Sequence, residues 1–503
     1  MKRNTLMGTR TLVVLLFILF ATGSFAQRLV MPGDHPDPSV VKIGERYWAS
    51  ATTSNWAPVY PLLSSKDLVT WNLEGHIFPK LPSWADYYFW APEISYDNGK
   101  VYVYYSAHKK NGNLCVGIAS ADKPEGPYKD HGPIICQEVG SIDAFPLRDE
   151  TGKLFMVWKE DANSVGKPTP IWIQELNEER TALVGEKKEL FRNTEPWEAN
   201  LVEGVAMVKH GDYYYAFYAA AGCCGAACTY GTGVARSKSL HGPWEKYSKN
   251  PIMKSNEKWN CPGHGTAVEK DGRYYFLYHA YDPKSTVYTG REGLLIEYKL
   301  TPDGWIEFVE EPSPQHVAAP QKVEDNFNRS PLNNGWQWSV FQQPGAVVKN
   351  GELHLPAANS ASGNFLGRQT TSANYTTIVK VHGQQSTAAA GVSAIGDEKN
   401  TISALFQKGL VRVVQVRDGK ETELARKTFA KAAKPYLRMQ VRNGKEIRFF
   451  YSANGRTYTE LTLNAIDGSF LPPWDRAIRS GIIAKGNEGT VGVFDHYEMV
   501  NEE

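Results

Sequence analysis

Apolar positions along this chain alternate with polar ones far more often than they recur at helical spacing. Runs such as Leu294 to Leu300, Leu410 to Val416, Tyr436 to Val441 and Ile447 to Tyr451 are short and end at Gly, Asn, Asp or Pro. Period-two alternation broken by turn residues is the signature of half-buried strands, so the pattern predicts an all-β chain. One unit recurs: a short strand, a turn containing Gly, and an aromatic residue three positions later. It reads Gly44/Tyr47, Gly99/Tyr102, Gly152/Phe155, Gly211/Tyr214 and Gly272/Tyr275, with Gly-to-Gly steps of 55, 53, 59 and 61 residues. Most units add a second turn, as in Ser65-Lys66-Asp67-Leu68, Gly126-Pro127-Tyr128 and Gly242-Pro243-Trp244. Each unit therefore predicts two hairpins, or four strands. A single unit cannot bury both of its faces, and five in series are what a five-bladed β-propeller supplies.

The repeat stops after the Asp303-Gly304 turn. A Pro- and Ala-rich stretch follows (Pro312, Pro314, Pro320), and from Val323 the alternation resumes without the repeat. The expected division is a signal peptide at 1–26, a propeller at 27–310, a linker at 311–322 and a β-sandwich of concanavalin-like jelly-roll type at 323–503. The signal peptide is read from Lys2, Arg3 and Arg10, the apolar run Leu12 to Ala21, and the small residues of Ser24-Phe25-Ala26, with cleavage before Gln27. The alternative is a membrane anchor, but the run is about half of a bilayer span. The expected location is periplasmic or extracellular.

Composition narrows the function. Lys+Arg number 55 against 54 Asp+Glu, a net charge of +1 that offers no nucleic-acid-binding face. Aromatic residues reach 12%, including 14 Trp and 26 Tyr, which suits flat ring-shaped ligands. No Gly-rich phosphate loop or basic axial cluster points to nucleotide chemistry. Of six Cys, Cys115 and Cys136 lie in apolar runs and read as core. Cys223, Cys224, Cys228 and Cys261 read as loop stiffeners of unassigned connectivity, since their spacing does not resemble a zinc site.

The innermost strand of each propeller blade lines the axis, so matching positions in different blades converge at one mouth. Counting back from each repeat Gly gives Asp37, Asp143, Glu203 and His264, with Trp90-Ala91-Pro92-Glu93 in the second blade. Buried carboxylates are costly unless paired or used, and neighbouring acids push their pKa values apart. One protonated and one ionised carboxyl is what glycosidic bond cleavage requires. Trp56, Trp90 and Phe145 pack either on sugar faces or in the core. Arg291 reaches either a sugar hydroxyl or an acidic neighbour.

These motifs resemble glycoside hydrolase family 43 over nearly the whole chain beyond the signal peptide. His35-Pro36-Asp37-Pro38, Ser141-Ile142-Asp143, Glu203-Gly204 before Tyr213-Tyr214-Tyr215, and Gly263-His264-Gly265 carry the likeness. It implies Asp37 as general base, Asp143 as the acid that orients the proton donor and raises its pKa, and Glu203 as general acid. It implies calcium, mostly water-coordinated, near His264, and Arg291 of Gly290-Arg291-Glu292 facing the substrate. The C-terminal segment resembles the sandwich of family 43 β-xylosidases, which closes one side of the pocket. Val205 departs from the family's usual Pro, and the Cys223-Cys224-Gly225 loop resembles that of arabinanases. The reading is an inverting exo-glycosidase releasing terminal α-L-arabinofuranosyl or β-D-xylosyl residues from plant polysaccharides or oligosaccharides. The alternatives are an endo-arabinanase and a non-catalytic carbohydrate-binding propeller.

Overall fold

A computed structural model describes residues 27–309, 321–430 and 432–502. The expected signal peptide and nearly all of the expected linker lie outside the described residues. The chain is all-β, with only three short 3-10 turns of helix among the described residues. The N-terminal half forms five antiparallel sheets, one per sequence repeat. Their inner strands are Ser39–Ile43, Ala85–Asp97, Ser141–Arg148, Val202–His210 and Asn260–Lys270. Each repeat Gly lies in the turn between the first and second strands of its sheet, with φ of 61°, 79°, 86°, 56° and 73°. A positive φ is tolerated by Gly and strained for most other residues, which is why the repeat is punctuated there.

Consecutive inner strands pack side by side, and Asn260–Lys270 returns to pack on Ser39–Ile43. Five separate apolar cores fill the gaps in the same order. Tyr60 and Val103 share the first, Tyr104 and Trp158 the second, Val157 and Tyr218 the third, Phe217 and Phe276 the fourth, Tyr47 and Leu277 the fifth. Truncating one of the buried aromatics to Ala is expected to cost about 3–5 kcal/mol. The fifth sheet joins both ends of this half: Arg28–Met31 pairs with Glu292–Leu300, Leu29 opposite Leu294.

From Lys322, one residue earlier than expected, the chain builds two larger sheets that face one another. Strands Asn374–Val381 and Tyr436–Arg442 alternate buried and half-buried positions without a break, as one-sided strands should. Phe327, Trp336, Tyr375, Phe406, Phe449, Phe494 and Tyr497 fill the space between the sheets.

The halves are joined by a short ladder, Trp56–Ala57 with Trp338–Ser339, and by a segment of the sandwich, residues 474–479. Arg479 forms a buried ion pair with Asp34 at 3.2 Å, and Ala477 N–H donates to the same carboxylate at 3.1 Å. Trp56 belongs to this junction. It is 1% exposed, packs with Phe365 and Ile483, and donates its indole N–H to Ala477 O at 3.3 Å. Its expected place on a sugar face is therefore corrected to the interdomain core. Cys115 is likewise not a free core thiol, because it is bonded to Cys136. Cys223 bonds its neighbour Cys224, and Cys228 bonds Cys261.

Candidate active site

At the mouth of the five sheets the inner strands share a distortion. Asp37, Ala91, Asp143, Gly204 and His264 all have left-handed backbone, with φ of 50°, 41°, 57°, 60° and 40°. In four of the sheets the strand register slips beside that residue. Such bulges turn a side chain out of the pleat, and strain of this kind is kept only where the surroundings fix it. Two glycines show how tightly the strands converge. A Cβ on Gly204 would lie 2.7 Å from the His264 ring, and one on Gly263 would lie 2.4 Å from the Tyr230 ring.

The structure brings Asp37, Asp143, Glu203, His264 and Arg291 into one cluster. Asp37 is 8% exposed. Its Oδ1 pairs with Arg291 Nη1 at 3.0 Å and faces His264 Nδ1 at 3.5 Å. Its Oδ2 accepts from Thr52 Oγ1 at 2.7 Å. Its own N–H donates to His279 Nδ1 at 3.0 Å, which suits a neutral imidazole; burial pushes the His279 pKa down to about 4. Burial alone would raise the Asp37 pKa, but Arg291 together with His279 and His264 outweighs it and holds the carboxyl well below the usual range.

The opposite wall differs. Asp143 Oδ2 accepts from Gly204 N–H at 3.0 Å, and Asp143 N–H donates to Ser106 Oγ at 3.1 Å. Burial, together with the charge of Glu203, pushes Asp143 up to about 6 despite the opposing pull of His264. Glu203 Oε2 accepts from the buried ammonium of Lys159 at 2.6 Å, and Oε1 accepts from Tyr230 Oη at 2.8 Å. Burial works against ionisation of Glu203 too, but Lys159 wins and lowers its pKa. Burial and the neighbouring carboxylates thus favour a proton on Asp143, while Lys159 favours the ionised form of Glu203. Lys159 also reaches Asp161 at 3.1 Å.

Arg291 answers the choice left open by the sequence: it forks between the Asp37 carboxylate and the carbonyl oxygen of Asp475 at 3.1 Å. Trp90 is half-buried and donates its indole N–H to Ser54 Oγ at 3.2 Å and Asp475 Oδ2 at 3.3 Å. Phe145 is half-buried and packs against the core between the third and fourth sheets, one of the two places the sequence offered it. Asp475 is 2% exposed and also contacts Ser54 Oγ and Arg476. The sandwich thus supplies one wall of the site.

Around His264 the protein offers an imidazole nitrogen with Asp37 Oδ1 3.5 Å away, so a calcium there would take most of its oxygen ligands from water. Among the described residues, the trio able to share an ion is Glu324, His496 and Glu498 on the sandwich, already occupied by the Lys322 ammonium.

Lys159, Tyr230, Thr52, His279 and Asp475 were not singled out as site residues from the sequence. Lys159 left a signal, a lone cation in the apolar run Leu154–Glu160. Asp475 left none, because it arrives from the other domain.

Residues 26–306 match glycosyl hydrolases family 43, and residues 324–473 match the beta xylosidase C-terminal concanavalin A-like domain. The chain belongs to glycosyl hydrolase family 43. This family 43 chain is 27% identical over 470 residues to a non-reducing end alpha-L-arabinofuranosidase of Bacteroides ovatus, covering 83% of this chain and 82% of that one. It is 30% identical over 277 residues to a beta-xylosidase of Bacillus subtilis, covering 50% of this chain and 48% of that one. A solved family 43 structure from Bacillus licheniformis superposes with a TM-score of 0.79 at 26% identity, covering 95% of this chain and all of that one. The family 43 glycoside hydrolase assignment fixes the class of bond attacked, and the geometry bears on how.

Proposed function

We propose that this family 43 enzyme is an exported, inverting exo-glycosidase that removes a terminal α-L-arabinofuranosyl or β-D-xylosyl residue. Its five cyclically packed sheets are read as a five-bladed propeller whose axial mouth is the pocket. Asp37, ionised at working pH under the hold of Arg291, takes a proton from the attacking water. Glu203 delivers a proton to the leaving oxygen, and Asp143 is the proton reserve that keeps the pair singly protonated. Inversion in one displacement calls for roughly 6.5–9.5 Å between base and acid, room for one water. No step uses a metal.

The observation that carries this reading is the opposed electrostatics of the two walls, one carboxyl pinned ionised by Arg291 and a pair that shares one proton beside Lys159. The wall formed by residues 474–479 favours an exo mode over an endo-arabinanase, since a long groove would need that side open. Export agrees with three disulfides, which persist in oxidising compartments. No helix among the described residues is long and apolar enough to cross a membrane.

The test is hydrolysis of paired aryl α-L-arabinofuranoside and aryl β-D-xyloside by the wild type, Asp37→Asn and Glu203→Gln. At least one substrate should be turned over by the wild type; with a poor aryl leaving group both variants should lose most of that turnover while keeping the fold. Wild-type rates in either variant would reject the assignment.

A further inference from the structure

One buried side chain touches both walls of the pocket. His279 lies in the second strand of the fifth sheet, Arg273–Tyr281, and is 0% exposed. Toward the base wall, its Nδ1 accepts the Asp37 N–H at 3.0 Å and lies 3.3 Å from Asp37 Oδ1. Toward the acid wall, its ring lies nearly parallel to that of Tyr230, with centroids 5.8 Å apart and planes 8° from parallel. Tyr230 in turn donates to Glu203 Oε1 at 2.8 Å. A single imidazole thus stands between the base and the holder of the acid.

The local chain explains why a ring fits there. Asp37 precedes the strand Ser39–Ile43 and has left-handed backbone, so its buried N–H takes a side-chain acceptor in place of a ladder partner. On the other side, Gly263 stands opposite His279 across the strand pair, and a Cβ there would lie 2.4 Å from the Tyr230 ring. The missing side chain is what lets Tyr230 come alongside. The imidazole itself is not satisfied. With Nδ1 as acceptor, a neutral ring carries its proton on Nε2. That nitrogen is buried with no hydrogen-bond partner among the described residues. A buried donor left unpaired is destabilising, and a phenyl ring would fill much the same space without it, so core packing alone does not call for histidine here.

We propose that His279 is a positioning residue that fixes the spacing between base and acid: its nitrogen holds Asp37, and its ring face holds Tyr230 and, through it, Glu203. The proposal deepens the inverting glycosidase reading and rests on it. Inversion needs the two carboxyls far enough apart to admit one water and close enough to reach one sugar. A misplacement of about 1 Å costs about 10²-fold in rate. Asp37 and Glu203 belong to the first and fourth sheets, and the fifth sheet, which carries His279, packs between those two. The spacing is therefore set by what the fifth sheet places there.

The two contacts can be removed one at a time. His279→Phe keeps the ring face and loses the acceptor; His279→Asn keeps an amide where Nδ1 was and loses the ring face. Both are assayed with the wild type and Asp37→Asn on aryl pentosides of good and poor leaving groups, and their melting temperatures are measured. His279→Phe should lose about 10²-fold in kcat on good and poor leaving groups alike, with KM little changed, because the base is misplaced. It should melt near the wild type, since it removes one unpaired buried donor and creates another at the Asp37 N–H. His279→Asn should regain most of that loss on good leaving groups and lose about tenfold more on poor ones, because the acid side has loosened. Equal losses in both variants on every substrate, in step with lowered melting temperatures, would make His279 a core residue and overturn the proposal. Wild-type turnover in both variants, with Asp37→Asn inactive, would overturn it and leave the glycosidase reading standing. A wild type inactive on every glycoside would defeat that reading and the proposal with it.

Discussion

The two walls of the pocket bury carboxyl groups equally deeply and leave them in opposite states. Asp37 sits against Arg291, whose guanidinium cannot give up its charge, so burial cannot protonate the acid. Asp143 and Glu203 share the field of one buried ammonium, Lys159, which pairs with Glu203 and lowers its pKa, while burial pushes Asp143 up to about 6. Depth alone therefore does not decide protonation; the ratio of acids to fixed cations on each wall does.

The largest effects should come from deleting the acids themselves, and leaving-group dependence separates their roles. Asp37→Asn should cut turnover about 10²–10⁴-fold on good and poor leaving groups alike, since water activation is lost in both cases. Glu203→Gln should cost a similar factor with poor leaving groups and far less with activated aryl ones. If Asp143→Asn shows that discrimination and Glu203→Gln does not, Asp143 is the donor and the two roles exchange. A smaller effect is expected from Lys159→Met. Loss of the cation raises the pKa of the pair, so the alkaline limb of kcat/KM should move to higher pH; an unmoved limb with lowered stability would make Lys159 merely structural. Smallest is Asp475→Ala, which removes the carboxylate that Trp90 and Ser54 share but keeps the backbone carbonyl that Arg291 bonds. KM should rise a few-fold as the Trp90 wall loosens, with the acid limb unmoved, while Asp475→Asn, which keeps an acceptor for Trp90 and Ser54, should stay near the wild type.

The wild-type profile follows from the same signs. Activity should fall as pH rises through about 6, where the pair gives up its proton, and should persist on the acid side until Asp37 protonates, well below the ordinary carboxylate range.

Much of the fold could be read from the chain because it repeats. The turn glycines recur where each sheet needs positive φ, and the acids recur seven to nine residues before them. Asp37, Asp143, Glu203 and His264 were legible for that reason. What escaped the sequence is non-local. Trp56 looks like any pocket aromatic until Phe365 and Ile483 cover it. Asp475 reaches Arg291 across 184 positions of chain from a domain with no repeat, just past the last residue matched to its family. The placement of the proton escaped as well, because it depends on Lys159 being 2.6 Å from Glu203 and not on either acid's neighbours in sequence.

The central claim is that a base on the Asp37 wall and a donor on the Glu203 wall act from opposite sides of one sugar in a single displacement. Proton NMR of the first sugar released, followed before mutarotation, tests it directly. The account predicts the inverted anomer, β-L-arabinose from an α-L-arabinofuranoside or α-D-xylose from a β-D-xyloside; first release of the retained anomer would contradict it.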